Sequence, residues 1–331
     1  MPKTFTDLKR HALNGETMGT RWSALFHKPA EFDVAPVAAA MAAAVTEVDQ
    51  QMSTWKPDSD LMRLNAAPPC VWVHCPEHLM IVLEMAVSIG RASGGAFDIG
   101  VGDAVSAWGF GAATVDPARI QSALSQSRRR THDVLELDMS GRRVRKSAPV
   151  SLDLSAIAKG YGVDRLTDVA RRFHISDALL SIDGELRGIG LQPDGSPWAV
   201  AIEDPDYAAR KPLTILTLHD AAVATSGDYR HWIDVGPKRL SHTMDPGRGG
   251  PLAQSPASVT VIAETCMAAD AWATALMVKG SSEGAKLARQ TGLNALFVER
   301  DADGLRQTTI GALFEPGSAG AAKVSYALPM D

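Results

Sequence analysis

The stretch Thr265–Gly280, reading TCMAADAWATALMVKG, constrains the fold more than any other part of the chain. It is an apolar, Ala-rich helix that follows a strand-like run, Ser258–Ala263, and ends at a glycine stop. Two oxygen-bearing side chains interrupt it, Asp270 and Thr274. Their four-residue spacing puts both on one helix face, a turn apart. Nothing basic within a turn pairs Asp270 in sequence, and an unpaired carboxylate in so apolar a helix is costly. A hard cation such as Mg²⁺ takes oxygen donors of this kind. The local alternative is a hydrogen-bonded Asp270 with Thr274 bonded to its own i−4 carbonyl, and the helix taken alone favours that alternative.

With 331 residues, the chain has room for one large domain or two small ones with ample core. A net charge of −5 argues against nucleic acid as the main partner. The run Arg128-Arg129-Arg130 is too short to change this and reads as solvated surface. No apolar run reaches the length of a membrane span. The first residues are polar and lack the apolar core of a signal peptide or an early lipid-bearing cysteine, so a cytoplasmic location is expected. Three cysteines make no disulfide framework. Cys70, His74, Cys75 and His78 are dense enough to suggest zinc, but their spacing fits neither a knuckle nor a finger, and the reading is against it.

Periodicity and punctuation predict a strand over Gly19–Phe26 and helices over Pro36–Gln51 and Glu77–Ser93, the latter stopped by Gly94-Gly95. A short helix, Pro117–Gln126, precedes a hairpin of Asp133–Leu137 and Arg142–Lys146 around Ser140-Gly141. Val150–Leu154 reads as a strand running into a helix, Ala156–Phe173. Strand-like runs crowd together at Ala178–Ile182, Leu186–Ile189, Trp198–Ile202, Leu213–Leu218 and Ala221–Ala224. A helix Ser282–Thr291 and strands Ala295–Glu299 and Leu305–Thr309 close the pattern. Long helices between clusters of adjacent strands indicate an α+β fold rather than a doubly wound sheet.

Several segments carry chemistry-bearing residues. Gly94–Gly111 is glycine-dense and includes Phe97, Asp98 and Trp108; its backbone can approach a ligand closely, although a tight structural loop fits equally well. It is neither a P-loop nor a dinucleotide fingerprint. At Leu152–Tyr161 a strand end meets a helix start, where free amides favour anions and Lys159 adds a positive charge. Asp153 can accept bonds from a ligand or cap the helix, although Ser155 is the better cap by position. Ala224–Tyr229 turns at Gly227, and Leu240–Pro251 supplies His242 and Asp245 in a Gly/Pro loop. Histidine suits proton transfer near neutrality.

Together these segments resemble the flavin transferase family, the ApbE-type FAD:protein FMN transferases, from Glu16 to about Phe314. The resemblance rests on ETMGT (from Glu16), MSTW (from Met52) with Asn65, GAFDI (from Gly95) with WGFG (from Trp108), LDLSAIAKGY (from Leu152), ATSGDY (from Ala224), Ser241-His242 with Asp245-Pro246, and Ala269-Asp270-Ala271 with Ala273–Leu276. It implies an α+β, ApbE-like and T-fold-related architecture of mixed helices and antiparallel sheets. It also implies one catalytic domain over 16–315; by composition, 1–15 reads as a polar N-terminal tail and the Gly/Ala-rich 316–331 as a flexible one. FAD is then the donor substrate, and Mg²⁺ is held by Asp270, Thr274 and the carbonyl of Ala156. FAD contacts fall on Met18, Trp55, Ala96, Phe97, Asp98, Asp153, Lys159 and Ala273. His242, with Asp228 and Asp245, is the candidate for activating a threonine hydroxyl of an acceptor protein, which takes FMN as AMP leaves.

The chain departs from the family pattern in places. Trp55 stands where the family often has tyrosine, and either ring can stack. Ser181–Leu186, reading SIDGEL, replaces the usual Gly-Gly-Asn and adds two acids, and Pro246–Pro251 is shuffled beside His242. Two other activities use the same residues: hydrolysis of FAD to FMN and AMP, with water in place of threonine, and flavin binding without turnover.

Overall fold

The computed structural model describes residues 8–206, 210–230, 232–235, 238–302 and 304–314. Among them an eight-stranded, wholly antiparallel sheet organises the chain. Its strands are β1 (Leu8–Thr17), β2 (Thr20–Pro29), β3 (Ala178–Ile182), β4 (Glu185–Ile189), β7 (Ala221–Gly227), β8 (Ser258–Ala263), β9 (Asn294–Asp301) and β10 (Gly304–Ile310), in that spatial order. The intervening hairpin, β5 (Trp198–Glu203) with β6 (Pro212–Leu218), lies against one face. Helices α1 (Ala35–Met52), α2 (Glu77–Ala92), α4 (Ala158–Arg172) and α5 (Cys266–Gln290) cover the other side; a short helix, α3 (Gly102–Ala107), stands apart.

Both faces of the central strands are dry, which explains why β8 and β9 read as continuous apolar runs rather than alternating ones. Val259, Val261, Ala295 and Phe297 point to the helices and join Leu83, Phe97, Leu276 and Met277 in the largest core. Their neighbours Ile262, Leu296 and Val298 point the other way, onto Trp198, Val200 and Leu218 of the β5–β6 hairpin. A second helical core packs Trp22, Phe26, Leu180 and Ile182 against Val45, Val163 and Leu166.

Two expectations are corrected. Residues 8–15 are no tail: they pair with β2 from Leu8↔Pro29 through Gly15↔Trp22. As an edge strand β1 has polar residues between its inward positions, and that composition imitates a tail; inward, His11 stacks on Phe26 with ring centroids 5.5 Å apart. Val150–Leu154 is extended but joins no sheet, because loops and a side chain satisfy its backbone instead. The Leu152 N–H donates to Asn65 Oδ1 (2.7 Å) and its carbonyl accepts from Asn65 Nδ2 (2.9 Å), while the Asp153 N–H donates to the Ile99 carbonyl (2.8 Å). The predicted break at Gly280 is present as a left-handed residue (φ 73°) inside α5. Residues 316–331 lie outside the described residues. No helix among the described residues is long and apolar enough to cross a membrane.

Candidate active site

The amino ends of α4 and α5 meet, and each caps the other. Asp270, one turn into α5, accepts the Gly160 N–H at 3.0 Å. Asp164, on α4, accepts the N–H groups of Cys266 and Met267 at 3.0 and 2.9 Å. Both carboxylates thereby satisfy amide groups that a helix start leaves without intrahelical partners. Gly160 lies in the first turn of α4 and Ala156 precedes its cap residue Ile157, so the helix itself pairs neither the Gly160 N–H nor the Ala156 carbonyl. The helices approach so closely that a Cβ at Gly160 would stand 2.4 Å from the Cys266 carbonyl oxygen and 2.8 Å from the Asp270 Cβ. Gly160→Ala is therefore expected to destabilise the protein by about 3 kcal/mol, as overpacking against backbone does; urea unfolding measures it, and an unchanged midpoint would contradict the close approach.

Asp270 is buried, and burial, reinforced by Glu185, pushes its carboxyl up to about 7. Thr274, one turn on, shares a 3.0 Å hydrogen bond with the Ser226 hydroxyl of β7, so its hydroxyl is held by the sheet rather than by its own helix. A buried carboxyl, a hydroxyl one turn away and the Ala156 carbonyl ahead of the α4 start are hard oxygen ligands suited to Mg²⁺. Lys159 projects from the same α4 start, with its ammonium 2.7 Å from Glu185 Oε1 and 3.6 Å from Asp183 Oδ2. Burial pulls this ammonium down, but Glu185 and Asp270 outweigh burial and hold it above its ordinary value.

The glycine-rich loop packs beside this helix junction. The Gly102 N–H donates to the Ser151 carbonyl at 3.0 Å. Asp98 orders the loop: its carboxylate accepts from the Gly100 N–H (2.8 Å), the Thr131 N–H (3.0 Å) and the Thr131 hydroxyl. Arg128 and Arg130 serve the same loop and are not the solvated run expected from sequence. Arg128 pairs with Asp103 and donates to the Gly100 carbonyl; Arg130 donates to that of Gly95. Their partners lie some thirty residues upstream, invisible to a reading of the basic run alone. Ala96 and Phe97 are buried, as is Ala273, so the Phe97 ring serves the core. Asp153 is buried, its carboxyl raised by burial, and it accepts the Ser155 N–H at 2.8 Å in a turn ahead of α4, whose cap residue is Ile157 with no side-chain cap, so neither Asp153 nor Ser155 caps the helix.

Met18 occupies the tight β1–β2 turn (φ 46°) and reaches α4 at Gly162. Trp55 is 66% exposed, an uncovered aromatic face on the loop after α1. Asp228 follows Ser226 at the end of β7 and receives Arg300 Nη1 on both carboxylate oxygens, at 2.9 and 2.7 Å. His242 is half-buried with its ring edge-on to Phe110, centroids 6.3 Å apart. Asp245 Oδ1 accepts the N–H groups of Gly247 and Arg248, shaping the shuffled loop. Of the zinc-like cluster, Cys75 is buried with its thiol pushed up to about 11 by burial, and His78 Nδ1 shares a 2.7 Å hydrogen bond with the Tyr161 hydroxyl.

The model of the ApbE family matches residues 18–297. An FAD:protein FMN transferase of Vibrio cholerae is 35% identical over 298 residues, covering 89% of each chain. The structure of the flavin transferase ApbE from Vibrio cholerae superposes with a TM-score of 0.81 at 30% identity, covering 93% of this chain and 98% of that one. The apo form of the Pseudomonas stutzeri flavinyl transferase ApbE gives 0.79 at 33% identity, covering 91% and 95%.

Proposed function

The chain belongs to the ApbE family, and from that membership we propose that it transfers FMN from FAD to a threonine hydroxyl of an acceptor protein, with Mg²⁺ held by Asp270, Thr274 and the Ala156 carbonyl. It is a transferase, as its relatives are. The observation that carries the proposal is the buried Asp270 carboxyl at the joined helix starts, with Thr274 one turn on. When bound there, Mg²⁺ supplies charge against the pyrophosphate oxygens.

The protein's own groups do the rest. The amides of Ala158, Gly160 and Tyr161 at the α4 start already have partners, so the Lys159 ammonium, held by Glu185, is the cationic group offered to the pyrophosphate once the metal has offset its charge. The exposed Trp55 indole offers a stacking face for a flavin or adenine ring. Family membership assigns the remaining FAD contacts to Met18, Ala96, Phe97, Asp98, Asp153 and Ala273. In the chemical step the threonine oxygen bonds to the FMN-side phosphorus and the bond from that phosphorus to the bridging oxygen breaks. AMP leaves with that oxygen, and His242, in the loop that also carries Asp245, takes the hydroxyl proton. Asp228, held by Arg300, is assigned with Asp245 to the His242 side of the reaction. The reaction depends on placement more than on covalent chemistry.

The test is incubation with FAD, Mg²⁺ and a threonine-containing acceptor, following acceptor mass and free AMP. Acceptor gaining FMN with matching AMP is the expected result. AMP and free FMN with an unmodified acceptor would replace transfer by hydrolysis, and no AMP under any condition would leave a flavin-binding protein.

A further inference from the structure

Three carboxyl groups converge on one ammonium. Lys159 lies 2.7 Å from Glu185 and 3.6 Å from Asp183, and the third carboxyl, Asp270, accepts the N–H of the adjacent Gly160. Glu185 is only 3% exposed, and its second oxygen, Oε2, is buried with no hydrogen-bond partner among the described residues. Folding alone gives no reason to bury a carboxylate oxygen unpaired, since a buried ion pair is at best roughly neutral for stability. The position also lies in SIDGEL, where the chain carries two acids in place of the expected Gly-Gly-Asn. An anion approaching the α4 start therefore meets an ammonium already engaged and an excess of negative charge behind it.

We propose that Glu185 is a positioning residue that holds Lys159 and makes FAD binding conditional on the divalent cation. A pyrophosphate arriving alone brings two negative charges to a cluster that already has more carboxylates than cations, and it is repelled. Arriving with a divalent cation it is neutralised, and Lys159, fixed in one rotamer by Glu185, donates to it without further ordering. The role deepens the reading of Asp270 and FAD given above and rests on it. It concerns binding order and affinity, and Glu185 itself need not touch the reacting atoms.

The experiment measures the Kd for FAD by flavin fluorescence, in Mg²⁺ and in EDTA, on the full chain. The wild-type protein is expected to bind FAD far more tightly with Mg²⁺. Glu185→Gln preserves shape and one acceptor for Lys159 while removing the charge. It is expected to tighten metal-free FAD binding roughly tenfold and to shrink the EDTA-to-Mg²⁺ ratio accordingly, as a unit charge several ångströms away does at intermediate dielectric. Asp183→Asn, farther from Lys159 and half-exposed, is expected to move the ratio the same way by a smaller factor; it carries the test if Glu185→Gln fails to fold. A ratio unchanged by either variant, or metal-free binding weakened by Glu185→Gln, would reduce the pair to a structural ion pair and overturn the proposal. So would a wild-type ratio near one. Absence of FAD binding by the wild type in both conditions would overturn the underlying functional reading as well.

Discussion

Replacing Asp270 with asparagine is expected to lower Mg²⁺-dependent AMP release by roughly a thousandfold or more, the scale of removing a main electrostatic element from a transfer site. Asparagine keeps an oxygen to accept the Gly160 N–H, so the helix junction survives and the loss reads on the metal site. The same residue gives a second, independent signal. Burial and Glu185 raise its carboxyl to about 7, against an ordinary value of 3.8. Between those values the native state holds a proton that the unfolded chain has released, so the stabilisation is fully present below about pH 4 and is lost as pH rises through 7. Asparagine does not titrate. In EDTA the wild type should thus lose stability relative to Asp270→Asn as pH goes from 4 to 8, and Mg²⁺ should restore it most at the alkaline end. Parallel unfolding midpoints for the two proteins across that range would remove Asp270 as the perturbed carboxyl; full AMP release by the variant would remove it as the metal ligand.

How much of this site was legible follows from the distance over which each signal acts. Asp270 and Thr274 stood out because one helix places them on one face, and the glycine stop at Gly280 is a property of one residue's backbone. The strands β8 and β9 were visible as dense apolar runs because both their faces are buried. Beyond this range the local reading failed in characteristic ways. It favoured Thr274 bonding its own helix, whereas the partner is Ser226 on β7, forty-eight residues away. It saw a solvated run where Arg128 and Arg130 brace the Gly95–Gly102 loop, and it saw a strand at Val150–Leu154 where Asn65 supplies the partner groups. Asp164 and Arg300 carried no local signal at all: a charged residue on an amphipathic helix or near a strand end reads as surface unless its tertiary partner is known. The two acids of SIDGEL were conspicuous only against the family pattern, and their convergence on Lys159 required the fold.

Asp164→Ala is expected to destabilise the protein by about 4 kcal/mol, a larger effect on folding than any substitution at the metal positions. The side chain accepts from the first two amides of α5 and pairs with Arg187, itself 9% exposed and with Nε already lacking a partner among the described residues. Truncation therefore leaves two helix-start donors uncapped and a buried guanidinium uncompensated, and breaking a buried pair from one side costs about 3–5 kcal/mol. Most of that loss belongs to the orphaned charge. The double variant Asp164→Ala/Arg187→Met should accordingly be more stable than the sum of the single effects, by roughly 2 kcal/mol in a urea double-mutant cycle. Additive losses would show that the ion pair contributes little and that the caps dominate. Whichever share is larger, the consequence reaches the site. Asp164 fixes the start of α5 to α4 while Asp270 fixes the start of α4 to α5, so the Asp270 oxygens and the Ala156 carbonyl hold their relative position only while both caps are in place. A variant losing the Asp164 cap should therefore bind Mg²⁺ more weakly even below its unfolding temperature, and isothermal titration with Mg²⁺ would detect it.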